Sequence, residues 1–209
     1  MSQSVPLFVL GSSGHAREIA AYALLLDPQR TIWFVDDASD EEDCISVREY
    51  IRRTREGDGE SVLGAGRCEA RQRMLGEIRP PFATIVCPTG VLLGEVAPGC
   101  VVAPGAVIAP HARLEPHVMV NYNATVGHDT HIGALSVVGP GAAIGGWCRL
   151  EKAVYVGAGA LIRERLTIGR DAIIGMGAVV TADVPSGLVA AGVPARLKSK
   201  SECAGGWLK

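Results

Sequence analysis

The chain has 209 residues, of which 48% are hydrophobic but only 5% aromatic, and a formal net charge of -2. This length suits one or two domains with a buried core, and the charge gives no reason to expect nucleic acid or an anionic membrane as a partner. No apolar run reaches membrane-spanning length and no secretory signal is apparent, so we expect a cytoplasmic protein that does not bind membranes. The six scattered cysteines favour reduced thiols over disulfides or zinc.

Short apolar strands alternate with helices over the first eighty residues. Strands are expected at 5–10, 31–35 and 60–63, and helices at about 15–26, 47–55 and 68–78. This alternation predicts a small α/β domain with a Rossmann-like parallel sheet. We place this domain at residues 1–82.

Each of the three strands ends in residues suited to ligand binding, at the edge where parallel sheets bind their ligands. The sets are Gly11, Ser12, Ser13, Gly14 and His15; Asp36 and Asp37; and Gly64, Ala65 and Gly66. Amides of the first set could hold a diphosphate, and Asp36 lies about where a ribose-binding acid lies in dinucleotide sites. Ala16 interrupts the dinucleotide fingerprint, so NAD is not specifically indicated. A structural turn with capping serines and a solvated acidic loop is an equally compatible alternative.

A strict period of six runs from Val96 to Val184. The first position of every unit is aliphatic: Val96, Val102, Ile108, Leu114, Val120, Val126, Ile132, Val138, Ile144, Leu150, Val156, Ile162, Ile168, Ile174 and Val180. Such a period predicts an all-β parallel β-helix of about five coils at residues 83–209, because each unit buries its apolar side only by stacking. An antiparallel β-sandwich, the alternative, would show variable spacing.

Seven glycines directly follow the aliphatic positions of the repeat: Gly127, Gly133, Gly139, Gly145, Gly157, Gly169 and Gly175. We expect them to form the tight bends between faces, where positive φ is required. The aliphatic residues should point inward, and the small residues four positions later should lie near the corners.

The repeat also locates a candidate general base. His128 and Asp129 form a pair on the outside of a corner, where a carboxylate can fix the imidazole tautomer. Three such units make one coil of 18 residues, so Gly146 should stand directly above His128 and offer its N–H to an oxyanion. The plainer alternatives are a surface histidine and an ordinary glycine turn. We interpret His111, His117 and His131 as surface residues, since their spacing does not match the zinc site of γ-class carbonic anhydrases; no metal is expected.

The motifs together resemble those of sugar-nucleotide acetyltransferases of the left-handed β-helix superfamily. The similarity is to bacillosamine and perosamine N-acetyltransferases and to sialic acid O-acetyltransferase-like proteins, of the NeuD and PglD type. It rests on the three strand-end sets, on the stretch 121–129, and on the closing sequence at 192–196.

The resemblance implies a left-handed β-helix, a homotrimer, and acetyl-CoA bound between neighbouring β-helices. It implies that His128 is the general base, Asp129 its acidic neighbour, Asn121 an active-site residue, and Gly146 the amide that contacts the acetyl carbonyl. The strand-end sets would hold the nucleotide sugar, and the coenzyme would lie near Gly146, Gly157, Ala158, Gly175 and Met176. Some relatives carry a second histidine nine residues after the first, where this chain has Val137.

The function expected on this basis is direct N-acetylation of an amino sugar linked to UDP or GDP, for bacterial surface glycan synthesis. O-acetylation of a sugar or sialic acid would use the same residues. A non-catalytic trimeric scaffold or sugar-nucleotide binder is a more distant alternative.

Overall fold

The computed structural model describes residues 4–203. Its first part is a four-stranded parallel sheet in the order β3-β2-β1-β4. The strands are β1 (Leu7–Leu10), β2 (Ile32–Val35), β3 (Cys44–Ile45) and β4 (Glu60–Leu63), and the helices are α1 (Gly14–Leu26), α2 (Val47–Arg55) and α3 (Cys68–Met74). The predicted parallel α/β topology is confirmed. The sequence pattern missed β3, which is only two residues long, and extended α3 by one turn.

The central strand explains why this small sheet is stable. All four residues of β1 are apolar and buried, as expected for a parallel strand covered on both faces. Tyr50 of α2 closes one side of the sheet: its ring packs edge-on against Phe8, and its hydroxyl lies 2.9 Å from Ser61 Oγ. Ser46 caps the N-terminus of helix α2, since its side chain accepts a hydrogen bond from the Glu49 N–H.

The second part is a parallel β-helix with three faces. The covered face comprises β5 (Ile85–Val86), β8 (Val101–Val102), β11 (Met119–Val120), β14 (Val137–Val138), β17 (Tyr155–Val156), β20 (Ile173–Ile174), β22 (Val189–Ala191) and β23 (Arg196–Lys198). The apolar face comprises β6 (Val91–Leu92), β9 (Val107–Ile108), β12 (Thr125–Val126), β15 (Ala143–Ile144), β18 (Leu161–Ile162) and β21 (Val179–Val180). The charged face comprises β7 (Glu95–Val96), β10 (Arg113–Leu114), β13 (His131–Ile132), β16 (Arg149–Leu150) and β19 (Thr167–Ile168). A short helix, α4 (Lys200–Cys203), follows.

The interior of the β-helix is filled as the period predicts. The aliphatic residues and the small corner residues form one continuous core, with Cys100 and Cys148 among the small ones. Partners on one face are 18 residues apart, as in Val126 above Ile108 and below Ile144. No insertion interrupts the strands from β7 to β21 within residues 95–180.

The coil number is about six rather than five, because the β-helix begins before the strict period does. Val86 pairs with Val102 and Leu92 with Ile108, so this first coil is two residues short. Gly94 permits the shortening: a Cβ there would lie 2.4 Å from the Ala112 carbonyl oxygen. The sequence pattern missed this coil because its spacing breaks the period of six.

The prediction that the repeat glycines provide positive-φ bends is wrong. Positive φ occurs instead three residues after every aliphatic position from Val96 to Ile174, at Asp129 (φ 57) and Trp147 (φ 55) for example. The repeat glycines are required by close stacking, since a Cβ on Gly127 would lie 2.6 Å from backbone atoms of Gly145 and Gly146. Each coil therefore approaches the next most closely where the chain leaves a face.

The sheet domain packs on the covered face. Outward residues of this face, including Val101, Met119 and Val137, share one core with Phe8, Ile19 and other residues of the first domain. Phe82 leads from one part to the other by pairing with Ser61, and Ile85 then enters the β-helix. The boundary between residues 82 and 83 remains a prediction. Within residues 4–203, no helix is both long and apolar enough to cross a bilayer.

Candidate active site

His128 lies on the corner between the apolar and charged faces, two residues after β12. Its side chain is 48% exposed, and its Nδ1 lies 2.8 Å from Asp129 Oδ2. A carboxylate oxygen only accepts, so Nδ1 carries the proton in this pair and Nε2 of the neutral ring is left with a free lone pair. The arrangement suits proton abstraction by Nε2.

Gly146 stands one coil above His128, as the 18-residue spacing predicts. A Cβ on Gly146 would lie 2.7 Å from His128 Nε2, which shows how closely the imidazole approaches this backbone. Within residues 4–203 the Gly146 N–H donates to no acceptor, whereas its carbonyl accepts from Arg165 N at 2.9 Å. The imidazole thus lies against the backbone of a residue whose N–H is unpaired in this part of the chain, at an exposed corner.

Trp147 is a residue of this corner that sequence reasoning missed. Its ring is 49% exposed and packs edge-on against His128, with 4.4 Å between ring centroids. Arg165, one coil higher, places its guanidinium carbon 4.1 Å from the centre of the Trp147 ring. The 18-residue spacing could have found both, since positions 129, 147 and 165 stack in one column.

Asn121 and the expected coenzyme residues other than Gly146 lie on a different corner, between the covered and apolar faces. Asn121 follows β11, and above it in the same column are Gly157 and Gly175, with Ala158 and Met176 beside them. Asn121 is buried, with Oδ1 accepting from the Tyr122 N–H at 2.8 Å, whereas Met176 is exposed. One chain therefore places the expected site residues at two corners, separated by the width of the apolar face.

The strand-end sets meet at one edge of the sheet, because β1 lies between β2 and β4. Ser12 Oγ donates to Asp36 Oδ2 at 2.6 Å, and the Ala38 N–H donates to Asp36 Oδ1 at 3.0 Å. These hydrogen bonds hold the pKa of Asp36 below its usual value, the Ser12 bond most strongly. Asp37 accepts from the Val47 N–H at 2.9 Å, at the start of α2. The first two sets are thus joined, and Asp37 has a structural partner.

His15 joins the glycine turn to the β-helix. Its Nε2 lies 2.7 Å from Met119 Sδ, and its Nδ1 lies 3.4 Å from Glu18 Oε2. Burial is the largest influence on its pKa and lowers it, so the ring is neutral at neutral pH. Gly66 packs against this ring, since a Cβ there would approach it to 3.4 Å. The side chain that was expected to bind substrate is therefore already engaged between the two parts of the molecule.

Arg71 is a second residue that sequence reasoning missed. Its guanidinium is fully buried and donates to the carbonyls of Ala65 at 2.9 Å, Leu63 at 3.3 Å and His117 at 2.6 Å. Burial lowers its pKa to about 10, which still leaves it charged at neutral pH. The residue ties the Gly64–Ala65–Gly66 turn to the β-helix. Its place on the buried side of α3, three residues after Cys68, is the signal that could have revealed it.

Histidines other than His128 have separate settings. His131 Nε2 pairs with Glu115 Oε1 at 2.9 Å. The prediction that His117 lies on the surface is wrong: it is buried, because its ring packs edge-on against Phe82 where the sheet domain covers the β-helix. Val137, where some relatives have histidine, is buried beneath the sheet domain rather than beside His128. Among the described residues the one cluster of metal-ligand type is Glu41, Asp43 and Cys44, and Arg17 already pairs with both carboxylates.

Comparisons with known proteins give a consistent picture. Residues 6–78 match the sequence model of the PglD N-terminal domain family. The fold matches PerB of Caulobacter crescentus, solved with CoA and GDP-perosamine, at a TM-score of 0.85 and 24% identity, over 93% of this chain and 97% of that one. It also matches WeeI of Acinetobacter baumannii at 0.83 and 24%, over 92% and 99%. No curated protein sequence matches this chain.

A further structural match has slightly higher sequence identity. The acetyltransferase domain of PglB from Neisseria gonorrhoeae, solved with acetyl coenzyme A, has a TM-score of 0.83 and 26% identity, over 93% of this chain and 100% of that domain. Together with the PglD N-terminal domain at residues 6–78, this agrees with the resemblance carried by the sequence motifs. The chain therefore resembles the sugar acetyltransferases of the PglD type, in the sequence of its first domain and in the fold of more than nine-tenths of its length.

Proposed function

We propose that this chain is an acetyl-CoA-dependent N-acetyltransferase acting on the amino group of a nucleotide-linked amino sugar. The observation that carries the proposal is the exposed pair of His128 and Asp129, set against the backbone of Gly146, whose N–H has no acceptor within residues 4–203. The CoA, acetyl coenzyme A and GDP-perosamine bound by the structural matches support the choice of both substrates.

The proposed reaction needs no covalent enzyme intermediate. The amine lone pair attacks the thioester carbonyl carbon, and the C=O electron pair moves to oxygen, where the Gly146 N–H donates to the oxyanion. His128 Nε2 takes a proton from the nitrogen, and Asp129 stabilises the imidazolium. The electron pair on the oxyanion then re-forms the C=O bond as the C–S bond breaks. The sulfur leaves with its electron pair and receives the proton from His128. Both substrates bound side by side supply the proximity that makes direct transfer fast.

The distribution of the site residues supports a homotrimer. Asn121, Gly157, Ala158, Gly175 and Met176 stand at one edge of the apolar face, and His128 and Gly146 stand at the other. We infer that a neighbouring copy brings the two sets together. The apolar face is suited to that contact. Its outward positions carry Val91, Val107, Thr125, Ala143, Leu161 and Val179, and a groove of about 380 Å³ crosses it beside Gly145.

The state of assembly can be measured directly. We expect sedimentation equilibrium to give three times the chain mass of 21.8 kDa. Leu161→Glu, which places a charge in the middle of the apolar face, should reduce both the mass and the transferase activity. A fully active monomer would contradict the shared site.

The function is tested with acetyl-CoA and a panel of UDP-, GDP- and dTDP-linked 4-amino sugars and their 4-hydroxy counterparts, with release of free thiol as the signal. Transfer to amino sugars supports the proposal, and transfer to hydroxy sugars alone would make the chain an O-acetyltransferase. A scaffold would fail to bind acetyl-CoA. His128→Ala should lose about 10²- to 10⁴-fold in kcat. His111→Asn is the matched control, since His111 lies on the same corner one coil below and its positive φ suits asparagine.

A further inference from the structure

Arg71 carries a buried positive charge for which the described chain offers no acidic partner. Its guanidinium is fully buried and forms no ion pair with a carboxylate within residues 4–203. It donates to three backbone carbonyls, and its Nε has no partner in this part of the chain. Burying a charge without a counter-ion is costly, so the charge is kept at this position at the expense of stability.

The two histidines near Arg71 are uncharged. Burial is the largest influence that lowers the pKa of His15 and of His117, and the Arg71 charge lowers both further. Both rings are therefore neutral at neutral pH. Glu18, the acid of α1, lies 3.4 Å from His15 Nδ1 rather than against Arg71. The buried contact between the sheet domain and the β-helix therefore holds an uncompensated positive charge at Arg71.

The hydrogen bonds of Arg71 direct this charge at the turn that follows β4. Its Nη1 donates to the Ala65 carbonyl at 2.9 Å. The peptide group between Ala65 and Gly66 is trans, so its N–H is antiparallel to that carbonyl and points away from the guanidinium. The N–H groups of Ala65 and Gly66 have no acceptor within residues 4–203, and both residues are partly exposed. A cation bonded to the carbonyl polarises the peptide group and makes the Gly66 N–H a stronger donor.

The Gly66 N–H lies at the edge of the sheet where the first and third strand-end sets meet. Gly66 packs against the ring of His15, since a Cβ on this glycine would approach the ring to 3.4 Å. Parallel sheets bind their ligands at this edge. The second guanidinium nitrogen, Nη2, donates to the His117 carbonyl at 2.6 Å and so fixes the charge relative to the β-helix as well. A polarised N–H backed by a positive charge is suited to an anionic oxygen.

We propose that Arg71 is a positioning residue whose charge, acting through the Ala65–Gly66 peptide group, selects the diphosphate of the nucleotide-linked acceptor. The inference rests on the proposed function and adds the source of the positive charge that the strand-end sets themselves lack. The guanidinium does not touch the ligand, because it is buried behind the turn. The diphosphate thus becomes the counter-ion of Arg71 when the acceptor binds.

Calorimetric titration with UDP, GDP and dTDP tests the role of the charge. Arg71→Met should weaken diphosphate binding about five- to thirty-fold, the effect of one charge about 8 Å away at an effective dielectric constant of about 20 or somewhat higher. Arg71→Lys keeps the charge and should retain most of the affinity. The Kd for acetyl-CoA should not change in either variant. Arg73→Met is the matched control, since it removes the same charge from an exposed position of α3 and should bind as wild type.

Nuclear magnetic resonance tests the route through the peptide group. In a chain labelled with ¹⁵N-glycine, the Gly66 signal is the one that disappears in Gly66→Ala. Addition of the diphosphate that binds should move the Gly66 amide proton downfield in the wild type and clearly less in Arg71→Met, because the polarising charge is gone.

Four results would overturn the inference. Equal losses in Arg71→Met and Arg71→Lys would reduce the residue to a structural support, and unchanged affinity in Arg71→Met would remove it from binding. A Gly66 amide that does not respond would exclude the route, and a wild type that binds no diphosphate would exclude the site. Failure of the proposed function is a separate outcome. A chain that shows the expected binding yet transfers no acetyl group would disprove the transferase and keep the role of Arg71.

Discussion

Gly146→Ala offers a sharp test of the active-site geometry. The added methyl carbon would lie 2.7 Å from His128 Nε2 and 2.9 Å from its Cε1, whereas ordinary contacts begin at 3.4 Å. The imidazole must therefore move by about 0.7 Å. It can do so cheaply because it is an exposed side chain, so we expect the free energy of unfolding to change by less than about 1 kcal/mol. The N–H at position 146 is kept.

The expected loss is catalytic rather than structural. Misplacing a reacting group by about 1 Å costs on the order of 10²-fold in rate. We therefore expect kcat to fall about 100-fold, or about 2.7 kcal/mol in activation free energy, with the KM for acetyl-CoA nearly unchanged. The assay is steady-state release of free thiol. Gly76→Ala is the control, because the nearest atom to its new Cβ lies at an ordinary 3.6 Å.

A double mutant identifies the route of the loss. In the His128→Ala background there is no ring to displace, so Gly146→Ala should add little further loss. A full 100-fold additional loss would show that the methyl group blocks substrate instead. A Gly146→Ala variant with wild-type kcat would refute the reasoning that His128 Nε2 acts beside this backbone.

Three other perturbations have distinct outcomes. Asp129→Asn removes the charge but keeps a residue that tolerates positive φ. In thiol-release assays kcat should fall at least tenfold, and in calorimetry the melting temperature should change little. An unchanged kcat would show that Asp129 is dispensable. Gly127→Ala should lower the free energy of unfolding, measured with denaturant, by about 3 kcal/mol, because its Cβ would lie 2.6 Å from backbone atoms. Gly141→Asn should leave that free energy nearly unchanged, because Gly141 has positive φ and open space around it. The reverse order of the two losses would contradict the stacking argument. Burial raises the pKa of Cys68 to about 12 and the pKa values of Cys87 and Cys100 to about 11, so these thiols stay protonated at pH 8. Mass spectrometry after brief alkylation should therefore find the partly exposed Cys44 modified before them.

The regular part of this molecule was predictable because its period is a direct consequence of packing. Every inward Val, Ile or Leu from Val96 to Val180 follows from stacking, and counting 18 residues places Gly146 over His128 without further information. The sheet domain was likewise predictable from alternating apolar strands and helices. The first coil was not, since Gly94 shortens it and removes the period that would have revealed it.

The parts that escaped prediction depend on contacts between distant residues. Arg71 gives no signal of its burial beyond its helical position, because its partners are three backbone carbonyls. His15 was expected to face a ligand, yet its ring is held by Met119, a residue more than one hundred positions away in sequence. The role of the glycines was misjudged for a local reason. Glycine is required at these positions because a side chain would collide with the backbone of the neighbouring coil, not because of the glycine's own φ. The sequence of a single six-residue unit cannot show that contact.

The column of positive-φ positions has a consequence for how such a site can change. The N–H groups of Asp129, Trp147 and Arg165 donate to carbonyls one coil below, namely those of Pro110, His128 and Gly146. The left-handed backbone at these positions, which costs about 1–2 kcal/mol per residue, is thus imposed by the coils and owes nothing to the side chains it carries. Aspartate, tryptophan and arginine all occupy it here. Mutation can therefore change the side chains displayed along this corner while the polypeptide path beneath stays the same.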